Sequence, residues 1–280
     1  MITINLFKTD EFDFNLEIPS TWNELEPSEI LFIARSFLES GQPLELKAQL
    51  LVFLIESRAA LQKVKLPKKW KTQIDPEQFF LNGSALLSFI FDGNDLTHCP
   101  EQEIELTGVR GKYKVLAPEE GFAGLTCGEM EDADAYYTLF ILEKKVEHLA
   151  MLAAILWRQK GIPYQMIVDS KFTTYPAQKW VPMFEKLEPH RLYAIYIWYT
   201  GCKSQLPKMF PVLHEPSDDA KQSGSPDPLS FTKCIHAGAG AKNGTREHIR
   251  LMPAREFLFD MELEAVKAKE LKIEMSNAKN

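Results

Sequence analysis

The sequence predicts a mainly α-helical protein with small β-hairpins, an α+β chain in which a helical body carries an N-terminal β-hairpin and a tethered C-terminal helix. Three observations predict it. Apolar residues recur at helical spacing through most of the 280 residues, and alternate strictly only in two short places. The apolar fraction of 45%, with 18 Phe, 8 Tyr and 5 Trp, is ample for a core. A stretch rich in Ser, Pro and Asp, "EPSDDAKQSGSPDPLS" (215–230), sets the last fifty residues apart. The organisation expected is therefore a helical body over 1–214, a linker over 215–230 and a C-terminal helical segment over 231–280.

Taken in order, "MITINLF" and "FDFNLEI" alternate apolar and polar residues around "KTDE", the pattern of a β-hairpin with one buried face. Pro19 ends it. "PSEILFIARSFLES" then places Ile30, Leu31, Ala34, Phe37 and Leu38 on one helical face. "PLELKAQLLVFLIES" repeats the pattern through Leu46, Leu50, Leu51 and Leu54, and the short Gly–Pro connection makes the two a helical hairpin. "IDPEQFFLNGSALLSFIFDG" opens with Asp75 as a cap, Pro76 in the first turn and Gln78 three residues past the cap, with an interruption at Asn82–Gly83. A second hairpin or irregular β segment is expected over 104–118.

"TCGEMEDADAYYTLFILEKKVEHLAMLAAILWRQKG" carries the clearest helix signals. Thr126 and Glu129 form a capping box, and acidic residues crowd the first turn, where the helix dipole favours them. With neither Gly nor Pro between Gly128 and Gly161, one helix of about 45 Å is expected, with a kink near Lys144–Lys145. A short helix around "AQKWVPMFEKL" and a run apolar almost all round, "HRLYAIYIWYTGCKSQLPKMFPVLH", follow. Beyond the linker come a glycine-rich stretch and a charged helix.

Composition narrows function. A formal net charge of −7 argues against general nucleic-acid binding. The basic stretch "KVKLPKKWK" (63–71) reads either as a local contact or as a solvated loop. The opening "MITINLFKTDEFDF" lacks a basic region followed by an apolar run, so no signal peptide is expected, and the longest apolar run, "LAMLAAILW", is about half the length of a membrane span. A cytoplasmic protein with no nucleic-acid or membrane partner and no cofactor is expected. Cys99, Cys127, Cys202 and Cys234 form no Cys-x-x-Cys pair and are expected reduced and mostly buried.

No catalytic, cofactor or metal site emerges from spacing. "IHAGAGAKNGTREHIRLM" (235–252) invites a phosphate-loop reading, but Gly244 is followed by Thr245 with no Lys between them, and Gly240 and Gly244 are too far apart for a dinucleotide fingerprint. Gly238, Gly240, Asn243 and Gly244 are read instead as a hinge or turn, with Asn243–Gly244 at positive φ and Thr245 capping the next helix. Cys234, His236 and His248 supply at most three metal ligands, one short of a structural zinc site, and His98–Cys99 is too distant in sequence to complete it. There is no nucleophile elbow around a serine. Glu129, Glu131, Asp132 and Asp134 read as a cation site or, more simply, as dipole complementation on a solvated face. In the terminal helix, Phe257, Met261, Ala265 and Ala268 form a narrow apolar stripe between Glu and Lys residues. That stripe is read as a partner-docking face or as one that folds back on its own domain.

Several segments together resemble a family. They are "WNELEPSEILFIARSF" after an N-terminal hairpin, "GLTCGEMEDADAYYTLF", "LAAILWRQKG", "YAIYIWYTGCKSQLPKMFP" and, past a linker, "REFLFDMELEAVKAKE". Their order is similar to that of tail-assembly-chaperone-like proteins of tailed phages and prophages of Bacteroidetes-type bacteria. The entry to the final segment, "HAGAGAKNGTREHIRLM", departs from that pattern. The resemblance implies a non-enzymatic protein that binds tape-measure protein, tail-tube protein or both during tail assembly. A virion-associated structural protein and an enzyme of unknown chemistry are the rival readings.

Overall fold

The computed structural model describes residues 1–9, 12–39, 43–66, 85–109, 111–159, 177–215, 226–240 and 243–277. The chain is mainly α-helical with small β elements, as the apolar periodicity requires. It divides into two compact units. One comprises Met1–Pro100 with Pro189–Gly201, the other Glu101–Glu188 with Cys202–Asn280. This division differs from the expected body, linker and C-terminal segment: residues on both sides of 215–230 belong to the second unit. Most of the interval itself (216–225) lies outside the described residues.

In the first unit, strands β1 (Ile2–Thr9) and β2 (Phe12–Ile18) pair antiparallel, with Ile2 opposite Ile18 and Ile4 opposite Leu16. β2 buries Leu16 and Ile18 completely and packs on helix α2. The helical hairpin is formed by α1 (Pro27–Glu39) and α2 (Pro43–Leu61), clasped by Phe32 stacked on Phe53 with ring centroids 3.6 Å apart. On α2 the predicted face is the buried one: Leu46, Leu50, Leu51 and Leu54. On α1 the buried face is rotated toward Glu29, Ile30, Ile33 and Ala34, leaving Leu38 exposed.

A buried ion pair explains the rotation. Arg58 of α2 donates to Glu29 at 2.6 Å and to the Glu24 carbonyl at 2.5 Å. Ser57 Oγ donates to the other Glu29 oxygen at 2.9 Å, and Glu29 also accepts from the Glu26 amide at 2.9 Å. A buried carboxylate needs such partners, and they outrank one exposed leucine in setting the helix's rotation.

A turn at Trp22–Glu24 buries Trp22, whose indole donates to the carbonyls of Phe89, within the short helix α3 (Ser88–Asp92), and Gly93, at its C-terminal end, at 2.9 and 2.8 Å. The cap predicted at Asp75–Gln78 and the interruption at Asn82–Gly83 lie outside the described residues. Pro189–Gly201, the first part of a longer helix, closes this unit. Its Trp198 donates to Thr97 O at 2.8 Å, and Asn94 donates to Ile197 O at 2.7 Å. Gly201 makes that approach possible, because a Cβ there would lie 2.3 Å from the Leu96 carbonyl.

The second unit opens with β3 (Glu103–Gly108) and β4 (Gly111–Leu116), the expected second hairpin, to which β5 (Arg158–Gln159) adds a third antiparallel strand. The long helix expected over 126–160 is two helices, α4 (Cys127–Glu143) and α5 (Val146–Leu156), packed on each other. Lys144 makes the break in the left-handed region (φ 56), its amide donating to Phe140 O at 2.8 Å. Burial is the physical reason. Leu149, Ala150, Leu152, Ala153, Ala154, Ile155 and Leu156 are all buried, so α5 has no polar face with which to extend into water. Covering it outweighs the roughly 1–2 kcal/mol of one left-handed residue.

Helix α6 (Ala177–Phe184) covers α5 and touches β3, and its Trp180 meets Tyr113 of β4 edge-on at 5.4 Å. The second part of α7 (Pro189–Met209), then α8 (Ser230–Gly238), α9 (Arg246–Leu251) and α10 (Ala254–Asn277), complete the unit. Among the described residues no helix is long and apolar enough to cross a membrane.

The Glu29–Arg58 pair yields a stability prediction. Arg58→Ala leaves a buried carboxylate without its cation and is expected to lower the unfolding free energy by about 3–5 kcal/mol. The double variant Glu29→Gln, Arg58→Met is expected to lose less, because no charge is stranded. Urea denaturation of the four corners of the cycle measures both.

Candidate functional site

Buried charge gathers at the start of α4. Thr126 caps the helix. Its hydroxyl accepts from the Glu129 amide at 3.3 Å while its own amide donates to the Glu129 carboxylate at 3.0 Å, the expected capping box. The acidic residues that follow are not a solvated face, as expected from sequence. Glu129, Glu131 and Asp134 are buried, and each meets a cation from another element.

Arg158 of β5 grips both Glu129 oxygens, at 2.8 and 2.7 Å. Glu131 takes Arg246 at 3.2 Å and also Arg250, both from α9. Asp134 takes Lys203 of α7 and, at 2.9 Å, the hydroxyl of Ser230 at the start of α8. Asp132 faces Arg250 at 3.5 Å; burial pushes its carboxyl above the usual range, and the guanidinium opposes that rise. Backbone bonds fasten the same place. Cys127 N donates to Met252 O at 2.9 Å and Ala254 N donates to Leu125 O at 2.8 Å. At Gly128 a Cβ would come within 3.1 Å of Arg250 O.

Beside this cluster lies a cleft of about 620 Å³, enclosed by α4, α7, α8 and α10. Its wall is chiefly apolar, with Met130, Leu206, Phe231, Leu258 and Met261, and Asp134 and Lys203 meet at its edge. The thiol of Cys234 lines it too, and burial raises its pKa. Its chemistry is thus that of an apolar surface edged by an ion pair.

The glycine-rich stretch ends α8 and enters α9. Gly238 is buried against α10: a Cβ there would be 2.6 Å from the Phe257 ring and 2.9 Å from Met261 Sδ. Gly240 and Gly244 exchange backbone hydrogen bonds of 3.0 and 2.8 Å, closing a tight turn. Only Gly244 is at positive φ (+80), so Asn243 does not share that conformation as expected. Asn243 is buried instead, its side-chain amide donating to Gly238 O at 3.0 Å. Thr245 caps α9 as expected, accepting from His248 N at 3.3 Å. The segment is a turn latched on both sides rather than slack; Ala241 and Lys242 lie outside the described residues.

The residues considered for metal are not gathered. Cys234 is half-buried, His236 and His248 are exposed, and the His98 ring contacts Asn23 at 3.1 Å. Among the described residues no three His, Cys, Asp or Glu side chains assemble.

The predicted partner stripe of α10 is split. Phe257 is buried and Met261 half-buried against the body, so this part folds back on its own unit, whereas Ala265 is half-buried and Ala268 exposed. Glu262 fastens the same region by accepting from the amides of Val212 and Leu213 at 2.9 and 2.7 Å. Sequence reasoning missed Arg158, Lys203, Arg246 and Arg250. One signal was available: Arg246 and Arg250 are four apart, on one helical face, in a chain with four acids clustered at 129–134.

Two predictions follow from this geometry. Gly238→Ala is expected to destabilise by about 1–3 kcal/mol, because the new methyl meets a ring that cannot yield. Faster proteolysis of α10, alongside a lower thermal midpoint, is the measurement. The second concerns thiols. Burial raises the Cys127 thiol and pushes Cys202 up to about 12, so almost none of either is thiolate at neutral pH. Iodoacetamide on the native protein is expected to spare Cys127 and Cys202 and to modify them only after unfolding, read by peptide mass spectrometry.

Comparison with protein-family models, curated proteins and solved structures returns no match.

Proposed function

We propose that this chain is a non-enzymatic tail-assembly chaperone of a tailed phage or prophage. It acts in the cytoplasm of the bacterial host and binds tape-measure protein, tail-tube protein or both before the tail closes around them. The segment order that resembles such proteins motivates the reading. The observation that carries it is α10: a 24-residue helix whose first turns are packed on the body, with its last ten residues all exposed.

The apolar stripe through Phe257, Met261, Ala265 and Ala268 continues at helical spacing to Leu271 and Met275, which are 58% and 55% exposed. An apolar seam on a charged helix beside an apolar cleft suits transient binding of a long, otherwise insoluble helix. The body end of the stripe holds α10 in place, and the distal end is offered to the partner.

The test is co-expression with the product of the neighbouring long, coiled-coil-rich gene. The chain is expected to hold that product soluble and co-purify with it, and to be absent from finished particles. Ala268→Lys with Met275→Lys is expected to abolish co-purification without unfolding the body. Stoichiometric recovery from purified particles would overturn the proposal.

A further inference from the structure

The first unit holds a pocket of about 330 Å³ between α1, α3 and the first part of α7. Phe37, Phe91, Tyr193 and Tyr196 give it aromatic walls, and buried Trp22 lies at its base. Phe37 and Phe91 meet edge-on with ring centroids 6.0 Å apart, and the rings of Tyr193 and Tyr196 lie 5.2 Å apart, tilted by 35°. Among the described residues that line the pocket there is one acid, Asp92, and no Lys, Arg or His. We propose that this pocket binds a small organic cation with a methylated ammonium head.

Charge sets the sign of the ligand. Asp92 stands at the exposed end of α3, and its carboxylate makes no hydrogen bond or ion pair with any described residue. Aromatic faces carry the negative side of the ring quadrupole, so the rings and the carboxylate favour a cation together. Lys47 of α2, which does not line the pocket, holds its ammonium 5.0 Å from the Phe91 centroid. One of these rings thus already attracts a cation within the fold, but Lys47 and Asp92 form no ion pair, and the carboxylate's charge is not cancelled there.

Hydrogen bonding selects the kind of cation. The Trp22 indole donates to the Phe89 and Gly93 carbonyls, and the Thr200 hydroxyl donates to Tyr196 O at 2.9 Å. The Asn94 side chain donates to Ile197 O at 2.7 Å and accepts from Leu96 N at 3.0 Å. A primary ammonium brings three N–H donors and would find few acceptors left on such a wall. A methylated head carries its charge without donors and rests its methyl groups on the rings. The volume, near the lower end of the roughly 300–1,000 Å³ typical of ligand pockets, suits a compact head of this kind. Every residue of the pocket belongs to the first unit and α10 to the second, so the inference stands apart from the chaperone role proposed for α10.

An NMR titration of the full chain, isotope-labelled at tryptophan, tests it with choline as the probe. The indole N–H signal of Trp22 is expected to shift and to saturate. The neutral analogue of choline, in which carbon replaces the quaternary nitrogen, has the same shape and is expected to bind roughly tenfold more weakly. Asp92→Asn is expected to weaken choline roughly tenfold and to leave the analogue unchanged. Tyr193→Leu is expected to weaken choline, and Tyr193→Phe, which keeps the ring, to retain it. Asp92 is exposed, so Asp92→Asn decides the matter even where a tyrosine variant fails to fold. A Trp22 signal that does not saturate, equal affinity for choline and its neutral analogue, or choline binding untouched by Asp92→Asn would each overturn the proposal.

Discussion

A carboxylate can be buried only if something repays its lost hydration, and three of them are buried in the first turns of α4. Glu129, Glu131 and Asp134 each demand a cation, and the cations come from β5, α9 and α7. The second unit is arranged around that demand. β5 closes the small sheet where Arg158 can reach Glu129; α9 lies across the start of α4 where Arg246 and Arg250 flank Glu131; Ser230 sets the first turn of α8 on Asp134. Such pairs add little net stability, because desolvation offsets most of the attraction, but a misplaced element would strand a charge at a cost of several kcal/mol. They act chiefly to specify one arrangement. The first unit applies the same rule once, with Glu29 and Arg58 deciding how α1 is turned.

This arrangement determines what α10 can do. Its entry is clamped by the bridge between Thr126 and Pro253, by Phe257 against Gly238 and by Glu262 on the amides of Val212 and Leu213. Past that clamp exposure increases along the helix, and residues 267–277 are all exposed. A packed base with an exposed distal end suits the transient helix–helix contact proposed above. The base sets direction, and the exposed end presents apolar surface without the entropy loss of ordering a free segment on binding.

Much of the fold was legible in the sequence, and the reason differs between elements. The α2 face, the Thr126–Glu129 capping box and the cap at Thr245 depend on residues at most a few positions apart, so local spacing carries them. The break at Lys144 was half legible. Both apolar stripes could be read, but nothing near Lys144 forbids a helix, and only the need to cover α5 on every side folds it back. The stripe of α10 was found, but not its division into a docked half and a free half, because Gly238 approaches it from another helix.

The sequence by itself determined the helical class, the two hairpins, the terminal helix and the failure of the glycine-rich stretch to match either phosphate pattern. These follow from period, caps and turn chemistry, which act within one or two turns of chain. Tertiary structure alone decided that the acidic run is buried, that the glycines latch a turn, and that the compact units divide away from the Ser/Pro-rich interval. Those outcomes rest on charge matching and close packing between residues dozens of positions apart. Local pattern states which side chains need a partner but not which partner the fold supplies.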